Sequence, residues 1–195
     1  TQFIDRRSFL GAAGAGSLFL LPGNLAAESA EPIVPASAAS ARNIIFLVVD
    51  GMNTGTWSIA NHFSRRYRKR DTEWVRLYQE QALTRGLMET GSSNSLVTDS
   101  GAAGSSWACG HRVNNGAINI TPDGNAIEPI LVTAKKLGKK TGLVSTTRIT
   151  HATPATFATN VISRSLEETI ASQYLDRGVD VLLGGGSRAF TSEKR

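Results

Sequence analysis

Apolar positions fall into two alternating patterns along the chain. Asn43-Ile-Ile-Phe-Leu-Val-Val49 is an unbroken β-branched and apolar run that ends in Asp50-Gly51, the pattern of a parallel strand buried on both faces. Thr141-Gly-Leu-Val-Ser-Thr146 and Val179-Asp-Val-Leu-Leu183 are shorter runs of the same kind, each bounded by glycine. Between them, Ile127, Ile130, Leu131, Ala134 and Leu137 recur at helical spacing, and Lys135, Lys136 and Gly138 close that segment as helix C-termini favour. A second helix is predicted over about Ser165 to Arg177, with Leu166, Ile170 and Tyr174 on one stripe. Strands alternating with helices predict βαβ units and a three-layer α/β/α fold around a mainly parallel central sheet. In such a sheet the ligand sits beyond the carboxyl ends of the strands.

That rule directs attention to two residues. Asp50 follows the most hydrophobic strand, so its carboxylate is expected at the ligand edge, where burial would demand a cation partner; a cap on the following Asp-Gly turn is the bland alternative. Ser100 precedes a run of small residues, Gly-Ala-Ala-Gly-Ser-Ser, and a helix starting there would aim its positive dipole end at whatever Ser100 binds. Ser100 is also a plain N-cap candidate, with the small residues serving a close helix contact. As a nucleophile it would need a base or a metal to activate it.

Composition narrows the class without choosing a chemistry. The 195 residues are 41% hydrophobic and 19% charged, which suits one globular domain and excludes a wholly disordered or collagen-like chain. Net charge is +5, mild enough to steer any anion, and the single cysteine, Cys109, excludes an internal disulfide framework and a cysteine-built zinc site. At the N-terminus, Arg6-Arg7-Ser8-Phe9-Leu10 precedes a small, apolar stretch from Gly11 to Leu21. This reads as a twin-arginine-type signal over residues 1–27, followed by an Ala, Ser and Pro-rich linker over 28–42 and a folded domain over 43–195. The apolar stretch is shorter than the roughly 20 residues a spanning helix needs, so no stable membrane insertion is expected. A first residue other than Met, and a close soon after a strand-like segment, imply a chain cut at both ends.

Five motifs occur in one order: Val-Val-Asp-Gly-Met at 48–52, Val-Thr-Asp-Ser-Gly-Ala-Ala at 97–103, Thr-His-Ala-Thr-Pro-Ala at 150–155, Ser-Arg at 163–164 and Asp-Val-Leu-Leu-Gly-Gly-Gly at 180–186. In that order and spacing the chain resembles the alkaline phosphatase family, from about residue 43 to 190. The resemblance implies metal-dependent hydrolysis of phosphate monoesters, with Ser100 as the nucleophile that becomes phosphorylated and Arg164 as the clamp on two phosphate oxygens. It nominates Asp50 as a carboxylate shared between zinc and magnesium, and Thr153 as a hydroxyl ligand of magnesium. Asp99 resembles the carboxylate that orients the arginine. His151 stands where some bacterial members carry Asp, which implies a different third metal site. Two zinc ions, one magnesium ion, an exported location and a homodimer are the further implications.

The same reading exposes a shortfall. His62 and His111 match no ligand motif, and the resemblance places most zinc ligands and the magnesium glutamate in a second half that this sequence does not include. These residues alone are therefore expected to bind zinc poorly and to be inactive. The basic run Ser64-Arg-Arg-Tyr-Arg-Lys-Arg70 reads as a solvated face rather than a nucleic-acid grip, and Gly184-Gly-Gly186 as a strand-to-loop turn. A non-catalytic phosphate-binding module and a phosphodiesterase of the same superfamily are the alternatives.

Overall fold

The computed structural model describes residues 43–80, 84 and 86–191. The expected signal and linker, residues 1–42, lie outside the described residues. The chain divides after Phe46 into two units. Of the first, only residues 43–46 are described, without regular secondary structure; every element below belongs to the second.

The second unit contains α1 (Thr54–Arg68), α2 (Glu73–Gln79), α3 (Ser100–Cys109), α4 (Ile130–Lys136), β1 (Gly142–Arg148), α5 (Ala152–Thr156), α6 (Glu167–Asp176), β2 (Val181–Gly185) and a 3-10 turn, Ser187–Phe190. β1 and β2 pair in parallel, with Gly142, Leu143 and Val144 opposite Val181, Leu182 and Leu183. The segment between them carries α5 and α6, so this is the βαβ unit that the alternating pattern predicts. Ile118, Leu143, Ile149, Val161, Ile170 and Tyr174 form its buried centre. Within it the Tyr174 hydroxyl donates to the Ile149 carbonyl at 2.9 Å, which satisfies the polar end of a fully buried ring.

Three expectations need correction. Residues 43–49 form no strand: Ile44, Ile45 and Leu47 are exposed, and Asp50-Gly51 is a turn. A parallel strand gains its stability from neighbours on its edges and faces, and β propensity alone does not supply them. The helix predicted from Ile127 begins at Ile130 instead, after Pro129, and leaves Ile130 and Leu137 exposed while Leu131 packs on the core. The helix predicted from Ser165 begins at Glu167; Ile170 and Tyr174 are buried as expected, but Leu166, at its N-cap, is exposed.

The basic run ends α1. Asn53 caps that helix by accepting from the Thr56 amide at 2.9 Å. Arg65 and Arg70 pair with Asp71 and Glu73, so the run is an exposed, partly neutralised helix end, apart from the buried Ser64. Gly184 and Gly185 lie in β2, where a Cβ on Gly184 would stand 3.1 Å from the Thr147 carbonyl oxygen and 3.2 Å from the Ile149 Cβ. The glycines there answer to a close strand approach. Among the described residues no helix is long and apolar enough to cross a membrane.

Candidate active site

The site is built on two helices that approach closely through small residues. A Cβ on Gly104 of α3 would stand 2.6 Å from Thr156 Oγ1 on α5, and one on Gly101 would stand 2.7 Å from the Ala117 carbonyl oxygen. No side chain fits at either point. α3 can therefore lie directly against α5, which sets Ser100, the first residue of α3, near Thr153 on α5. Both readings of the small-residue run hold at once: it is a helix contact, and it starts at Ser100.

The N-cap is Asp99 rather than Ser100. Its carboxylate accepts from the Ala102 amide at 2.9 Å, from the Gly116 amide at 3.2 Å and from Arg164 Nη1 at 2.9 Å. Burial alone would push this carboxyl up, but the bonds from Ala102, Arg164 and Gly116 outweigh it and hold it below the usual carboxylate range. With the cap taken by Asp99, the Ser100 hydroxyl is left for other work.

That hydroxyl donates to Asp50, at 2.9 Å to Oδ2 and 3.2 Å to Oδ1. Thr153 Oγ1 donates to the same Asp50 Oδ2 at 3.3 Å. Asp50 reaches them from the turn before α1, where Gly51 takes a positive φ of 71°. The carboxylate is exposed, not buried at a strand end, so its partners are two hydroxyls and water rather than an obligatory buried cation. The result is a solvent-facing cluster of oxygen donors only, the donor type that hard divalent cations prefer. Among the described residues no group of three or more His, Cys, Asp or Glu side chains stands together, so a full zinc set is not found there.

Arg164 is held from three directions. Its backbone amide donates to the Gly116 carbonyl at 2.7 Å, Nη1 reaches Asp99, and Nη2 lies 3.0 Å from His151 Nε2. Burial and the neighbouring Arg164 and Arg148 charges push the His151 pKa down. The strand-end side of this group is fixed by Glu167, which accepts from Arg148 Nε at 2.9 Å and from the Thr150 hydroxyl at 2.6 Å.

All six residues singled out in the sequence thus stand in two linked groups. Asp50, Ser100 and Thr153 form one, Asp99, His151 and Arg164 the other, and the Asp99–Ser100 peptide joins them. His62 and His111 take no part: His62 lines a cavity beside Trp57 and Tyr78, and His111 Nδ1 contacts the Cys109 carbonyl. Gly116 and Asn115, whose side chain accepts from the Asp99 amide at 3.0 Å, escaped the sequence reading. Their contributions are main-chain and loop contacts without a residue-type signature, and the Asn114-Asn115-Gly116 turn signal was the one available clue.

Residues 41–195 match the family model for alkaline phosphatase. The repressible alkaline phosphatase of Saccharomyces cerevisiae is 40% identical over 154 residues, a match covering 76% of this chain and 27% of that protein. Alkaline phosphatase 4 of Bacillus subtilis is 35% identical over 165 residues, covering 80% of this chain and 35% of that protein. Among solved structures, Thermus thermophilus alkaline phosphatase superimposes with a TM-score of 0.66 at 42% identity, covering 71% of this chain and 29% of that one. A histidine-to-aspartate mutant of the alkaline phosphatase from the Antarctic bacterium TAB5, a structure with Mg bound, gives a TM-score of 0.59 at 34% identity and covers 70% of this chain and 38% of that one. The chain spans well under half the length of these relatives. The fold is accordingly α/β of the type seen in these enzymes, represented here by the parallel strand pair and its flanking helices.

Proposed function

The chain belongs to the alkaline phosphatase family, and from that premise we propose that the protein hydrolyses phosphate monoesters through a phosphoserine at Ser100. The observation that carries the proposal is the linkage of the two groups: the Ser100 hydroxyl bonded to Asp50 at 2.9 Å, and Arg164 bonded at 2.9 Å to Asp99, the residue beside Ser100 in the chain.

In this reading Ser100 Oγ attacks phosphorus, a new P–O bond forms, and the ester P–O bond breaks with loss of the alcohol. Water then attacks the phosphoserine, and Ser100 is regenerated. Asp50 holds and orients the Ser100 hydroxyl before attack, and Arg164 meets charge on two nonbridging oxygens with a fork that a lysine does not have. Asp50 and Thr153 would hold a magnesium ion, with Asp50 also shared with zinc, and these cations would supply Lewis-acid stabilisation of the serine alkoxide. The all-oxygen donor set fits magnesium as a partial shell, and the remaining donors for two zinc ions and one magnesium lie outside the described cluster.

Three narrower proposals accompany this one. These 195 residues alone bind zinc poorly and turn over no ester at a useful rate. Residues 1–27 direct export to the periplasm or beyond through a twin-arginine-type signal, and the intact protein is a homodimer. The testing experiment compares 4-nitrophenyl phosphate with its bis-ester as substrates of the intact protein. Faster hydrolysis of the monoester, abolished by chelator and by Ser100→Ala, supports the reading; faster hydrolysis of the diester moves the protein to the phosphodiesterases, and binding of phosphate without turnover makes it a binding module.

A further inference from the structure

We propose that His151 is a positioning residue for Arg164: its neutral ring holds the guanidinium by a lone pair, and so aims the clamp without cancelling its charge. The inference rests on the reading of Arg164 as the phosphate clamp. It begins from the contact between His151 Nε2 and Arg164 Nη2 at 3.0 Å. A guanidinium carries five donors and no acceptor, so Nε2 must be the acceptor. An accepting Nε2 has no proton, which leaves the ring neutral with its hydrogen on Nδ1.

The charge balance gives this contact its meaning. Asp99 already supplies one carboxylate to Arg164, and the two side chains are about three-quarters buried, with 27% and 24% of their surface exposed. A second carboxylate at position 151 would turn the Asp99–Arg164 pair into a net anion facing an incoming phosphate, whereas an imidazole leaves it neutral. The fork is then held at both ends, Nη1 by Asp99 and Nη2 by His151, with the arginine backbone tied to Gly116. The outer hydrogens of both amino groups remain available to two oxygens of one phosphate. His151 is itself placed by the turn that closes β1, where its amide donates to the Arg148 carbonyl at 2.9 Å and its own carbonyl accepts from Ala155. An Nε2 committed to Arg164 is also not free to bind a cation.

The test has two arms on the full 195-residue chain. Long-range proton–nitrogen NMR of the 15N-labelled protein reads the tautomer directly: the inference expects His151 with Nδ1 protonated and Nε2 bare, and a protonated Nε2 overturns it whether or not phosphate binds. Titration with inorganic phosphate then compares variants. His151→Gln retains an acceptor and is expected to bind within about threefold of the native chain, whereas His151→Phe lacks one and is expected to lose about two- to tenfold, the worth of one neutral hydrogen bond. His151→Asp is expected to weaken binding most at low ionic strength, with the loss shrinking as salt screens the added charge. Equal affinity in the Gln and Phe variants, or tighter binding in the Asp variant, overturns the inference. No phosphate binding in the native chain counts against Arg164 as the clamp, and the NMR arm then decides the orientation of His151 by itself.

Discussion

Ser100 and Asp50, fifty residues apart in the chain, share a hydrogen bond of 2.9 Å from the serine hydroxyl to the carboxylate. Two local decisions produce it. Asp99 takes the helix cap and frees the serine, and the turn at Gly51 swings the carboxylate toward the start of α3.

Asp50→Asn is expected to retain the hydrogen bond to Ser100, since an amide oxygen still accepts, and to lose divalent-cation affinity because the only charge in the oxygen cluster is gone. On the order of a tenfold or greater drop in magnesium affinity, read by calorimetric titration of the intact protein, is the predicted outcome. Unchanged affinity would remove Asp50 from the metal ligands.

Arg164→Lys should not behave as a conservative change. An ammonium cannot span Asp99 and His151 at once, and it offers a point charge where a planar fork is required. Phosphate affinity is expected to fall about tenfold or more, with the same ordering for inhibition by phosphate in the intact enzyme.

Gly104→Ala places a methyl group 2.6 Å from Thr156 Oγ1 and 2.7 Å from its Cγ2, so one helix must move. A loss of about 1–3 kcal/mol in urea unfolding is expected, typical of overpacking. Adding Thr156→Ala removes both opposing atoms and should recover part of the loss despite the forfeited bond from Thr156 Oγ1 to the Thr153 carbonyl at 2.8 Å. Strict additivity of the two changes would mean that the helices do not meet as described.

Acid should loosen the α3 cap. The Asp99 carboxyl is held below its ordinary range in the folded state, so it stabilises the fold above the unfolded value of about 3.9 and loses that contribution as pH falls through the lower folded value. Melting temperature is therefore expected to decline below about pH 4. Asp99→Asn should flatten part of this decline while lowering stability at neutral pH, and the remaining slope belongs partly to Glu167, which its bond from Arg148 holds down in the same way.

What could be read from the sequence divides along the range of the forces involved. β1, β2 and the helix at Ser100 were legible because a short apolar run beside glycine, or a cap before small residues, encodes its own conformation. The strand at 43–49 was not, because its order depends on neighbours that no local pattern specifies. Leu166 and Ile130 carry helical spacing yet sit at helix starts, where the first turn faces out. Asp99 and Arg164 meet across 65 residues, and only the ordered motifs linked them beforehand. The third partner, His151, was expected near a metal and stands instead against the arginine.

The most direct measurement is acid trapping of the intact protein with radiolabelled phosphate, followed by peptide mapping. One labelled peptide is predicted, with its phosphate on Ser100 and absent from Ser100→Ala. Label on a different residue, or steady ester turnover with no trapped phosphate at all, would contradict the assignment of this serine as the group that attacks phosphorus.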